Sequence, residues 1–146
     1  MRKINIYITF NGNCEEAFNF YRSAFGGDFQ FIGRYKDVPP GEKEKFRPES
    51  EEKIMHVSLP ISKETILMGC DNADAKAGGT TVVGDNISIS IDTDNKEEAN
   101  QLFAALSIGG KVKMQMEQTF WGAYFGALTD QFGINWLINC DAKENS

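Results

Sequence analysis

The chain has 146 residues, of which 41% are hydrophobic and 12% aromatic, enough for one compact domain with an adequate core. Its net charge of −6 argues against nucleic acid or an anionic membrane as the main partner, since either calls for a basic face. No apolar run reaches the length of a membrane span, and Met1-Arg2-Lys3 leads into an alternating strand without the apolar block of a signal peptide, so a cytoplasmic protein is expected. Three cysteines, Cys14, Cys70 and Cys140, make an odd number without CxxC spacing, which points to reduced structural thiols and not to a disulfide framework or zinc knuckle.

Taken in chain order, Lys3 to Phe10 alternates cleanly, with Ile4, Ile6, Ile8 and Phe10 on one side and Asn5, Tyr7 and Thr9 on the other. Asn11-Gly12-Asn13 makes a turn, and Asn13 is placed to cap a helix whose Ala17, Phe18, Tyr21, Ala24 and Phe25 recur at helical spacing. Gly26-Gly27 ends that helix, and Phe29 to Tyr35 reads as the next strand. Asp37 to Glu52 carries three prolines and mixed charges, which predicts a long exposed loop. Lys53 to Leu59 and Thr65 to Cys70 read as short strands, and a polar, glycine-bearing linker follows.

The pattern then returns. Asn5-Ile6-Tyr7-Ile8-Thr9-Phe10 is matched by Asn86-Ile87-Ser88-Ile89-Ser90-Ile91, Glu15-Glu16-Ala17 by Glu97-Glu98-Ala99, Gly26-Gly27 by Gly109-Gly110, and Cys70-Asp71 by Cys140-Asp141. Thr93 or Asp94 is expected to cap the second helix, and strands follow near Lys111 to Glu117, Phe120 to Leu128 and Ile134 to Asn139. The fold class is α+β: two tandem βαβββ modules forming curved antiparallel sheets around a cavity, with the helices on the outer face. Module one spans about residues 1–72, a linker about 73–84, and module two about 85–141, within a single domain of residues 1–146. A duplicated domain of this kind places its site between the copies.

If the helices cover one face of each sheet, alternation assigns the other face. It receives Asn5, Tyr7 and Thr9, Arg34, His56 and Ser58, and Leu67 from the first module. From the second come Asn86, Ser88, Ser90, Gln115, Asn135, Leu137 and Asn139, with Trp121 or Tyr124. The ligand-contacting set is therefore Tyr7, Arg34, His56, Ser58, Ser88, Gln115, Trp121 and Asn135, set against a solvated sheet face as the plain alternative. His56, the one histidine, is the candidate for acid or base work because imidazole exchanges protons near neutrality; its structural alternative is a hydrogen-bonded sheet residue. Asp71, Asp141 and Asp130 suit turn and cap roles.

With these residues in place, the chain resembles the vicinal oxygen chelate superfamily of glyoxalases, extradiol dioxygenases and bleomycin resistance proteins, and within it the PhnB-like subgroup. The resemblance spans nearly the whole chain. It rests on Phe10-Asn11-Gly12-Asn13 with Glu15-Glu16-Ala17 and Ala24-Phe25-Gly26-Gly27, on Ile54-Met55-His56, and on Phe120-Trp121-Gly122 with Leu128 through Trp136. It implies metal-ligand positions close to Asn5, Leu67, Asn86 and Leu137, where two amides and two leucines do not make a transition-metal site, and one-residue shifts to Ile6, Met68, Ile87 and Ile138 do no better. No metal and no cofactor are expected. A methyltransferase reading drawn from the subgroup's label lacks a strand followed by a GxGxG-type loop.

Three readings stand. The first is a PhnB-like protein that binds a small organic molecule between its modules without a metal. The second is a lyase, isomerase or transferase of the superfamily using His56. The third is a dimeric protein with no ligand role. In each the protein is expected to pair with a second copy of itself, because a single module leaves strand edges open.

Overall fold

Alternation in Ile6-Tyr7-Ile8-Thr9-Phe10 commits one face of the first strand to a core, and a helix supplies the cover. The structure, a computed structural model, describes residues 1–45, 48–72 and 80–141, with backbone alone for 43–45. It divides into two compact units, Met1–Val82 and Val83–Ser146. Most of the expected linker, residues 73–79, lies outside the described residues.

In the first unit β1 (Ile6–Phe10) leads to α1 (Cys14–Phe25), then β2 (Phe31–Arg34), β3 (Ile54–Pro60) and β4 (Ile66–Asp71). The sheet order is β1-β4-β3-β2. The β2–β3–β4 meander is antiparallel as expected, whereas β1 joins it parallel to β4. The sheet is mixed because the helical crossover returns the chain in the direction of β1, and two reversals later β4 lies beside it with the same sense. The helix buries Cys14, Ala17, Phe18 and Tyr21, and the sheet buries Phe10, Val57, Leu59 and Leu67. Phe18 meets Phe10 and Tyr21 edge to face at centroid distances of 6.0 and 5.6 Å. Burying each such ring contributes roughly 1.5–3 kcal/mol. Gly69 is required beneath them, since a Cβ there would lie 2.7 Å from both the Ile8 carbonyl oxygen and the Phe18 ring.

Asp71 ends β4 and is buried. Its Oδ1 accepts hydrogen bonds from the amides of Gly12 and Cys14, at 3.0 and 2.9 Å, and its Oδ2 from the amide of Ile54 at 2.9 Å. This carboxylate, and not Asn13, caps the helix: Asn13 makes no side-chain cap bond, and its φ and ψ of −114° and 25° are not those of an extended cap residue. The loop expected to be irregular holds 3₁₀ turns at Tyr35–Asp37, Pro40–Lys45 and Pro48–Ser50, with residues 46 and 47 outside the described residues.

The second unit repeats the plan with β5 (Ser88–Thr93), α2 (Lys96–Ser107), β6 (Lys111–Gln118), β7 (Ala123–Thr129) and β8 (Asn135–Asp141), in sheet order β5-β8-β7-β6 and with β5 parallel to β8. Asn95 caps α2, not Thr93 or Asp94: its side chain accepts from the Glu98 amide at 2.8 Å, while Glu98 Oε1 accepts from the Asp94 amide at 3.1 Å. Asp130 takes the turn role expected of it. Its Oδ1 accepts from the amides of Phe132 and Ile134, and its Oδ2 from the indole N–H of the fully buried Trp136 at 2.8 Å.

Candidate functional site

The face of the first sheet opposite α1 is built by the strand registers. Tyr7 and Ser58 both pair with Met68 on β4, Thr9 pairs with Cys70, and Phe31 and Gly33 on β2 pair with Ser58 and His56 on β3. Of the expected residues, Tyr7, Thr9, His56 and Ser58 therefore share this open face. Tyr7 reaches across β4 and its hydroxyl is hydrogen-bonded to His56 Nδ1 at 3.2 Å, with the two rings 5.6 Å apart. Phe31 lies on the other side of the imidazole at 5.9 Å. Tyr7, His56 and Phe31 thus form a row of rings across the sheet, with Tyr7 and Phe31 half exposed. Burial, then interaction with Cys70, push the Tyr7 phenol well above its ordinary range, so it stays neutral.

Strand four turned out one residue out of phase with expectation. Leu67 is fully buried under the helix, and Met68 and Cys70 are the residues that face outward. Ile66-Leu67-Met68-Gly69-Cys70 is apolar throughout, so it carries no alternation signal; the deciding residue is Gly69, whose missing side chain admits Phe18. Phe31 was missed for a similar reason, since its strand mixes apolar residues on both faces.

Arg34 does not join His56. The register steps from Gly33↔His56 to Arg34↔Ile54, which leaves Met55 as an extra residue on β3 and replaces it by Ile54 in the buried set. The guanidinium turns to the first turn of α1, pairing with Glu15 at 2.6 and 3.2 Å, and donates to the Glu52 carbonyl at 2.7 Å. That hydrogen bond holds the Glu15 carboxyl below its ordinary range.

In the second unit the open face carries Ser88 against Asn135, Ser90 against Leu137 and Asp92 against Asn139. The two amides are hydrogen-bonded within the protein, and Asn135 is buried. Asn135 donates to the Ile87 carbonyl at 3.1 Å and accepts from Thr129 Oγ1 at 2.7 Å, and Asn139 donates to Asp92 at 3.1 Å. Tyr124 pairs with Cys140 and donates to Asn100 of α2 at 2.7 Å, so it lies on the helix side and not on the open face. Trp121 precedes β7 in a turn, 60% exposed, edge to face with Phe120 at 5.0 Å and 6.4 Å from Phe125. Gln115 sits in a bulge of β6 and is exposed.

The residues at the metal-ligand positions that the resemblance implies do not make a metal site. The Asn5 side-chain oxygen accepts from the Ile66 amide at 2.9 Å, Leu67 is buried, and Leu137 carries no donor. Among the described residues no group of three His, Cys, Asp or Glu side chains converges in ligand geometry.

Two βαβββ modules, each a four-stranded sheet with its first strand parallel to its last and a helix on one face, make a fold shared with a glyoxalase/bleomycin resistance protein/dioxygenase family enzyme from Burkholderia phytofirmans PsJN, at 15% identity and a TM-score of 0.58 over 94% of this chain and 96% of that one. Comparison with known proteins agrees. The family model described as 3-demethylubiquinone-9 3-methyltransferase matches residues 2–139. Protein PA1353 from Pseudomonas aeruginosa is 36% identical over 100% of both chains, with a TM-score of 0.83. A putative 3-demethylubiquinone-9 3-methyltransferase, PhnB protein, from Bacillus cereus shares the fold at 24% identity and a TM-score of 0.72, covering 95% of this chain and 99% of that one. Protein YjdN of Escherichia coli strain K12 is 27% identical over 141 residues, 91% of each chain. The chain belongs to the PhnB-like, 3-demethylubiquinone-9 3-methyltransferase-like family.

Proposed function

We propose that this protein binds a small organic molecule with a planar ring on the open face of its first module, and that binding needs no metal. The row of Tyr7, His56 and Phe31 carries the reading: three rings 5.6 and 5.9 Å apart, two of them half exposed, on a sheet face that would otherwise be solvated by polar side chains. A planar ligand would stack on this row and hydrogen-bond to Tyr7 or His56. The family's description names a demethylated quinone, itself a planar ring. Methyl transfer is not part of the proposal, because neither unit shows, among the described residues, the doubly wound parallel sheet with a glycine loop that cradles a nucleotide cofactor. Ser88, Gln115, Trp121 and Asn135 belong to the second unit and are not needed for this reading.

The test is titration of chelator-treated protein with 2-naphthol by saturation-transfer NMR, alongside metal analysis of the untreated protein. Binding is expected without metal and should weaken at least about tenfold in a Tyr7→Ala, Phe31→Ala double variant. Binding that appears only with stoichiometric Zn, Ni, Fe or Mn, or none at all, would overturn the reading.

The assembly we propose is a homodimer. Phe120 is 97% and Trp121 60% exposed at the tip of the β6–β7 turn, and paired aromatic rings so placed mark a contact surface.

A further inference from the structure

We propose that the ring taken on this face carries an oxygen at its edge, a phenolic hydroxyl or a conjugated carbonyl, and that His56 Nε2 reads either one by changing tautomer against the Tyr7 hydroxyl. The inference rests on the first module's open face being a ring-binding site and names the class of ring. His56 meets Tyr7 through Nδ1 at 3.2 Å and forms no other hydrogen bond among the described residues, so Nε2 has no protein partner. Nor is it sealed in. Every buried side-chain nitrogen or oxygen among the described residues has a partner, so an unpartnered Nε2 reaches the surface. Tyr7 and Phe31, half exposed, flank the imidazole on either side, and a ring seated on them lays an edge substituent against it.

The pair has two neutral arrangements. When the Tyr7 hydroxyl donates to Nδ1, the imidazole proton sits on Nε2, which then donates to a carbonyl oxygen. When Nδ1 carries the proton and donates to the Tyr7 oxygen, Nε2 offers its lone pair to a hydroxyl. Tyr7, kept neutral chiefly by burial, is free to take either part. Between the two arrangements the imidazole proton changes nitrogen by exchange with water and the phenol hydrogen turns; no electron is transferred and no proton is gained or lost. A ring without oxygen satisfies neither. Gly33 is the positioning residue. It stands opposite His56 in the β2–β3 register, and a Cβ there would lie 2.9 Å from the Phe31 ring, so its missing side chain lets Phe31 lean toward the imidazole. Its φ is outside the left-handed region, so the main chain accepts alanine and the ring is what moves.

The experiment uses the full chain with isotope-labelled histidine; His56 is the one histidine, so both ring-nitrogen signals belong to it. The probes are 2-naphthol, 2-acetylnaphthalene and naphthalene, at about pH 8, where an ordinary imidazole is neutral. Both oxygenated probes should bind roughly fivefold tighter than naphthalene. 2-Naphthol should move the nitrogen signals toward the Nδ1–H tautomer and 2-acetylnaphthalene toward the Nε2–H tautomer, a readout taken on the parent protein that depends on no variant folding. In His56→Phe, which keeps a ring without nitrogen, the three probes should bind alike. Gly33→Ala should weaken all three roughly threefold and keep their order. The same tautomer balance with both oxygenated probes, or no advantage of either over naphthalene, would overturn the proposal. The two readings fail separately: equal binding of all three probes leaves the ring site and removes this inference alone, whereas binding by none removes the ring site itself.

Discussion

Cys70-Asp71 and Cys140-Asp141 are the same dipeptide at the end of the same strand, yet they are placed one residue apart. In β4 the buried, helix-side residue is Asp71, paired with Phe10; in β8 it is Cys140, paired with Thr93, while Asp141 is exposed. The repeat was legible in the letters, but its register was not, because a two-residue period turns a one-residue offset into a change of face. The consequence is measurable. Asp71→Ala leaves two buried amides and one half-buried amide without their acceptor and should lower the unfolding free energy by about 3 kcal/mol. Asp141→Ala should stay within about 0.5 kcal/mol of the parent. Urea denaturation of both variants checks the pair, and equal losses would contradict the assignment.

At the scale of elements, both helices were read correctly from apolar spacing; the first starts after Asn13 as expected but takes its capping bonds from the tertiary partner Asp71, and the second starts after Asn95, one residue beyond the expected caps. Asn13 has the residue type of a cap without its geometry, whereas Asn95 has both. Asn95→Ala should cost about 1 kcal/mol and Asn13→Ala much less, as thermal unfolding would show. Arg34 illustrates the same limit: a bulge opposite it, set by tertiary pairing, sends its side chain to Glu15. With the Glu15 carboxyl held low by that pair, its contribution is in place above the ordinary carboxylate range and drains away as pH falls through the lowered value. Both partners are partly exposed, so the contribution is under about 1 kcal/mol. The stability difference between the parent and Glu15→Gln should accordingly shrink on acidification from pH 6 to pH 3.

Across the whole chain, one plan has been used twice for different surfaces. The first module's open face presents rings, a thioether and a thiol; the second presents serines, and amides that bond to Thr129 and Asp92. Alternation made the faces of β1 and β5 legible. The strands β2 and β4 were legible as strands, but their apolar residues on both sides left the faces unassigned, and so hid Phe31 and Cys70. The aromatic turn at Phe120 and Trp121 supports pairing of two copies. Light scattering at micromolar concentration should give about twice 16.3 kDa, and Trp121→Ala with Phe120→Ala should shift the mass toward a single chain.

A single carboxylate joins two stretches of chain that are distant in sequence: the turn leading into α1 with the helix's first residue, and the start of β3. When Asp71 swings out, the amides of Gly12, Cys14 and Ile54 are released at once. Their deuterium uptake should therefore follow one common opening free energy, although 42 positions separate the first from the last, and in Asp71→Asn all three should exchange faster together while strands β6 to β8 keep their protection.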